Sequence, residues 1–213
     1  MKNQQMKTMG IKKNSMFDNM VAKEGHKKIL GAFIAFLFFV IIECGFLTFV
    51  SFATFAFLIY AYRYKYIDIK ALKEDEVYAP ISGEITAIDV QDFTKSIYLN
   101  VSLCNSHILR SLDSGEANVS IKRGLNLNSS SFKSKRLNEN AKIKYKNSTL
   151  ELYSSMCNDS IDIKESKSFE KGEKLGTFLQ GEVIVTIAKD YELNVTIGEK
   201  VESGQTVLAR VIK

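Results

Sequence analysis

The sequence predicts a mainly β soluble domain (β-rich α+β, barrel-sandwich-like) behind an N-terminal transmembrane helix or helical hairpin. Three observations predict it. Residues 29–62 form one apolar run, broken only by Glu43 and a few small or polar groups. A spanning helix takes about 20 such residues, so the run is too long for one upright helix and short for two full spans. From residue 77 onward apolar and polar residues alternate, with Val, Ile and Thr frequent, as half-buried strands require. The loops between these stretches carry Asn, Ser and Gly, and the only proline, Pro80, precedes the first long strand, where a missing amide is tolerated.

Residues 1–28 read as a basic, flexible cytoplasmic tail with a short amphipathic segment at 16–21. The net charge of +5 and pI near 8.9 call for an anionic partner. Lys2, Lys7, Lys12, Lys13, Lys23, Lys27 and Lys28 all precede the apolar run, which favours an anionic phospholipid membrane. No basic patch interleaved with aromatic residues follows, so nucleic acid is not expected as a partner. The run is too long for a signal-peptide core of about 7–15 residues. Two arrangements of 29–62 stay open, a single tilted helix or a hairpin turning near Glu43, Cys44 and Gly45. A carboxylate at the bilayer centre costs about 3 kcal/mol, and basic flanks stand on both sides (Lys27 and Lys28, then Arg63 and Lys65), so the hairpin is preferred. The expected location is the bacterial inner (cytoplasmic) membrane, with the soluble domain on the cytoplasmic side.

A charged linker, 63–76, leads to the β domain, 77–213. Strands are expected at 84–90, 96–103, 117–122, 141–146, 149–153, 183–188, 192–197 and 206–211. The polar run 128–135 is expected as a mobile loop near the active face. Cys44, Cys104 and Cys157 are widely spaced and lack paired ligand spacing, so free thiols in a reducing compartment are expected, with no metal site.

Several blocks carry chemistry. Val-Tyr-Ala-Pro-Ile-Ser-Gly-Glu-Ile opens the domain at Val77 and includes Ser82. Asn105-Ser-His107-Ile-Leu-Arg110 follows, with Gly115 five residues past the arginine. Arg-Gly-Leu at Arg123 and Leu-Asn-Glu-Asn at Leu137 come next. Lys-Gly-Glu-Lys-Leu-Gly-Thr-Phe-Leu-Gln-Gly-Glu then runs from Lys171 through Gly181 to Glu182, and a Gly-Glu-Lys-Val-Glu-Ser-Gly-Gln stretch begins at Gly198. In this order and spacing the blocks resemble phosphatidylserine decarboxylase, in its short bacterial, membrane-anchored form, over nearly the whole chain.

The resemblance implies a lyase that cuts its own chain at a Gly-Ser bond. The serine becomes a pyruvoyl cofactor, an electron sink for decarboxylating an aminophospholipid. It implies His107 as the processing base and Arg110 and Asn105 as head-group contacts. Gly181, Glu182 and Ser82 stand at the family's glycine, serine and aspartate. A glutamate has no β-oxygen to eliminate, and none of the 12 glycines is followed by serine. No pyruvoyl group is therefore expected, and a divergent lipid-binding or regulatory pseudoenzyme is preferred. Structural roles for His107 and Glu182 stay open. The first alternative is an active decarboxylase making phosphatidylethanolamine, with unorthodox processing. The second takes 79–85 and 201–205 as halves of a lipoyl-like barrel in a membrane adaptor, although the interval lacks the heptad hairpin of such proteins. The family also suggests a homo-oligomer.

Overall fold

The apolar run folds as two helices. The computed structural model describes residues 21–63, 66–128, 131–158, 160–164 and 166–212. The basic tail up to residue 20, with nearly all of the segment 16–21, lies outside them. Helices α1 (Lys23–Ile41) and α2 (Gly45–Ala61) form a hairpin. The turn falls at Glu43, exposed at the tip with φ of 58°. Aromatic pairs close the seam: Phe33 meets Phe55 with ring centroids 5.5 Å apart, and Phe36 meets Phe52 at 5.6 Å. The single tilted helix is thereby excluded. No helix among the described residues is long and apolar enough to cross a membrane. Large apolar side chains nevertheless face outward along the hairpin, among them Leu30, Ile34, Ile41, Phe46 and Phe49.

The hairpin's two ends meet at its base. Val21 pairs with Arg63, and the Ala22 amide donates to the Tyr62 carbonyl at 2.8 Å. Val21, Ala22, Ala61, Tyr62 and Ile108 form a small buried cluster that seats the base on the β domain. The linker that follows is clamped down. Asp68 caps a single 3-10 turn at Ile69–Ala71. The buried Lys171 ammonium donates to the carbonyls of Lys73, Glu74 and Glu76 at 2.9–3.1 Å.

The strands are β1 (Glu76–Tyr78), β2 (Gly83–Val90), β3 (Thr94–Val101), β4 (Ile108–Arg110), β5 (Gly115–Glu116), β6 (Asn118–Lys122), β7 (Asn140–Lys144), β8 (Ser148–Ser154), β9 (Asp162–Ile163), β10 (Ser168–Phe169), β11 (Lys174–Thr177), β12 (Gly181–Ala188), β13 (Tyr191–Leu193), β14 (Lys200–Val201) and β15 (Val207–Val211). Seven form one antiparallel sheet in the order β14-β2-β3-β12-β8-β7-β6, with β12 at its centre. Two three-stranded sheets, β1-β15-β13 and β4-β11-β9, and the β10–β5 pair complete the domain. Strand β12 alternates buried and half-buried residues along its whole length, the period-2 pattern of a sheet with one face on the core. Ile81, Ile85, Ile97, Leu99, Leu150, Leu152, Val183 and Val185 are fully buried. Each contributes roughly 1.5–3 kcal/mol of burial, and with Leu109, Leu175 and Leu208 they form one core shared by the large sheet and both three-stranded sheets.

Two expectations change. Within the polar run 128–135 starts α3 (Phe132–Leu137), with a reciprocal capping box between Ser131 and Ser134. The strand expected at 192–197 ends at Leu193, because Thr196 to Glu199 make a turn in which the Glu199 carboxylate accepts from the Thr196 amide. The two stretches read as barrel halves do meet. The Ala79 amide donates to the Thr206 carbonyl, and the Gly204 amide to the Ala79 carbonyl. Between them lie strands and the short α3, and no helical hairpin occurs among the described residues of that interval.

Candidate functional site

Three of the blocks singled out in the sequence, those that hold Ser82, Asn105 to Arg110 and Lys200, converge on one face of the domain, next to the hairpin base. A pocket of about 410 Å³ is lined by Arg63, Ser82, Asn105, Ser106, Arg110 and Lys200, among others. Ser82 leaves the loop before β2, and its Oγ accepts from the Ser203 amide at 3.0 Å. The Ser203 hydroxyl in turn contacts the carbonyls of Pro80 and Ile108. Asn105 closes its own turn, accepting from the Ser102 amide and hydroxyl. Arg110 is buried on β4, with one guanidinium N–H on the Gly172 carbonyl at 3.1 Å. The pocket wall is thus strongly cationic, with Arg63, Arg110 and Lys200 against Glu202.

His107 does not line this pocket. Its ring is buried between the last turn of α2 and the 102–106 loop, with Nδ1 2.5 Å from the Ala61 carbonyl and Nε2 3.1 Å from that of Ser102. Both partners only accept, so a neutral ring can satisfy one of them. Burial holds the imidazole below its ordinary 6.5; the two carbonyls pull it back up, and nearby Arg63 lowers it further. A depressed value means that the unfolded chain takes up this proton first as pH falls. The His107 contribution to stability is therefore complete above about pH 7 and is lost as pH falls below 6.5. Thermal unfolding should show a melting temperature that drops between about pH 6.5 and 5, and His107→Gln should flatten that segment. Equal slopes in the two proteins would assign the drop to other groups.

Gly181 and Glu182 begin β12. The Gly181 backbone has φ of +147° and packs so closely on β8 that a Cβ there would lie 2.1 Å from the Tyr153 carbonyl oxygen. Glu182 sits opposite Asn100 of β3 and Tyr153 of β8. Lys135 of α3 reaches across and bonds both of its carboxylate oxygens, at 2.8 and 2.9 Å. Glu182 therefore does not line the pocket that holds Ser82, Asn105 and Arg110. The large sheet connects the two places: Glu182 pairs with Asn100 of β3, which pairs with Glu84 of β2, next to Gly83 in the pocket wall.

Four further residues belong to this picture that the motifs did not single out. Arg63 appeared only as a basic flank of the apolar run, and Lys200 and Ser203 only as parts of a turn-rich block. Lys135 lay in a run read as a loop. Serine, lysine and arginine in such contexts carry no sequence signal of convergence.

The family model for phosphatidylserine decarboxylase matches residues 55–209. The chain belongs to the phosphatidylserine decarboxylase family. No match emerges among curated proteins or among solved structures. The matched span takes in the end of α2, the pocket and all of the sheets but the last two residues of β15. This family works through a pyruvoyl group made from a serine of the chain. The resemblance puts that serine at position 182 and its aspartate partner at position 82; the chain has a glutamate ion-paired to Lys135 at the first and a serine at the second, and these side chains do not fit the making of that group.

Proposed function

We propose that this member of the phosphatidylserine decarboxylase family is a membrane-held pseudoenzyme of phospholipid metabolism that binds a phospholipid head group without self-processing. Glu182 carries the reading. Pyruvoyl formation requires a side-chain oxygen on the β-carbon that attacks the preceding carbonyl and then leaves, and glutamate has none. The Lys135 ammonium supports the same view, because it neutralises the Glu182 carboxylate and ties it to α3.

The hairpin supports the membrane part. Its outward Phe, Leu and Ile side chains, exposed along both helices, are the kind of apolar surface that marks a membrane or partner contact. With both ends at one base, the hairpin enters and leaves the membrane on the same side, and its helices of 19 and 17 residues, roughly 26–28 Å long, carry Glu43 past the bilayer centre towards the far head groups. The entry is from the cytoplasmic face of a bacterial inner membrane. Arg63 at the foot of α2 then brings the cationic pocket to head-group level, where Arg63 and Lys200 take the phosphate and Glu202 the amine of an aminophospholipid.

Intact mass of the purified full-length protein tests the first claim. A single species near 24.0 kDa is expected. Two pieces dividing at Gly181, or at Gly176 ahead of the Thr177 hydroxyl, the smaller with a blocked keto terminus, would mean that the protein is a working decarboxylase. Calorimetry with water-soluble glycerophosphoserine tests the second, since it takes membrane insertion out of the measurement. An Arg63→Glu, Lys200→Glu variant should bind at least about tenfold more weakly, about 1.4 kcal/mol. Equal binding by the two proteins would remove the pocket as a head-group site.

A further inference from the structure

A second, larger groove lies elsewhere on the domain, about 1300 Å³ in volume. One wall is β6, the end strand of the large sheet, and the other is β9, the end strand of β4-β11-β9. The walls are joined at both ends. Strand β5, just before β6, pairs with β10, just after β9. Beyond the other end of β6, Arg123 donates to the Ile161 carbonyl at 2.9 Å, directly ahead of β9. The frame is therefore closed at its ends and open along two strand edges.

An unpaired strand edge presents a row of backbone donors and acceptors that another extended chain can complete. Val119 and Ile121 of β6 pack toward the core and line the groove with Tyr145 and Ile163, giving an apolar floor. The rim carries Lys144, Lys146 and Lys167 against Glu116 and Asp162, while Arg123 is ion-paired to Glu139 and Lys164 to Glu173. Lys144, Lys146 and Lys167 are exposed. We propose that this groove takes an extended acidic segment of a partner protein, added as a strand to the open edge of β6. A lipid chain would leave the edge amides unpaired, and a second copy of this chain, itself carrying +5, would bring the same cations against the rim. Strand β6 runs Asn118–Lys122, so the bound segment is about five residues, or roughly 17 Å.

The test uses the full chain in detergent and a fluorescein-labelled, end-capped Glu-Val-Glu-Val-Glu peptide, followed by anisotropy. Saturable binding is expected. It should weaken at least tenfold in a Lys144→Glu, Lys167→Glu variant and with a Lys-Val-Lys-Val-Lys probe. N-methylating the amides of alternate probe residues should abolish binding for one of the two possible sets, because only every second residue turns its amide to β6. The probe comparison needs no altered protein, so misfolding of the variant cannot obscure the result. Absence of binding, equal binding by both N-methylated sets and the parent, or displacement of the peptide by phosphatidylglycerol vesicles would each overturn the proposal.

Discussion

Gly181→Ala is expected to cost more than about 3 kcal/mol of folding stability, a large share of the roughly 5–15 kcal/mol a domain possesses. Two effects add. The backbone φ of +147° is a conformation that L side chains rarely adopt, and the new methyl would lie 2.1 Å from the Tyr153 carbonyl oxygen and 2.8 Å from the Phe178 ring. The first obstacle is backbone in the middle of the large sheet, hydrogen-bonded on β8, so it cannot step aside as a flexible side chain would. Gly198→Ala is the matched control. It too has positive φ, +88°, but nothing lies within 4 Å of its added Cβ, so it should cost only about 1–2 kcal/mol. Urea unfolding of the two variants separates the contributions. Similar losses in both would mean that β8 yields at Tyr153 and that strain alone matters at Gly181.

Asn138→Ala is expected to cost about 3 kcal/mol, from unpaired backbone groups and not from lost apolar contact. Asn138 is wholly buried. Its amide donates to the carbonyls of Leu127 at 2.7 Å and Ser154 at 2.8 Å, and its oxygen accepts from the Leu127 amide at 2.8 Å. These bonds fasten the Leu125–Leu127 stretch to β8, with help from the buried Glu139, whose carboxylate accepts from Arg123 and from the Ile161 amide. Water reaches the half-exposed Leu127 more readily than Ser154, which keeps the loss below the sum of three separate buried penalties. Asn138→Asp should be at least as damaging. It keeps the acceptor for Leu127 but turns a carboxylate oxygen toward two carbonyl oxygens in a buried place. If the aspartate variant proved milder than alanine in a denaturant titration, the assigned amide orientation would be wrong.

Much of the fold was legible locally. Alternation over 183–188 marks β12, whose residues are buried and half-buried in turn, and over 84–90 it marks β2, although the burial follows it only as far as Ile85, before a bulge. The two-residue strands β5, β9, β10 and β14 left no such trace, since a pair of residues has no period. Strand β4 escaped for a different reason: Ile108, Leu109 and Arg110 are all buried, so its pattern does not alternate. The hairpin was readable in Glu43, because a charge amid apolar residues finds water only at a tip. The helix that starts in the polar run was not, because its capping box uses Ser134 in place of the usual Glu or Gln.

For the site, the sequence by itself determined the chemistry that position 182 can perform. No folding can give a glutamate the β-oxygen of a serine. Ordered motifs also determined the family. Only the tertiary structure decided which of those residues stand together. It joins Ser82, Asn105 and Arg110 to Arg63 and Lys200, turns His107 against the hairpin base, and sends Glu182 to Lys135. The physical reason is that these residues lie from 19 to 118 positions apart in the chain, and contacts over such separations depend on strand register and packing, which no local pattern encodes.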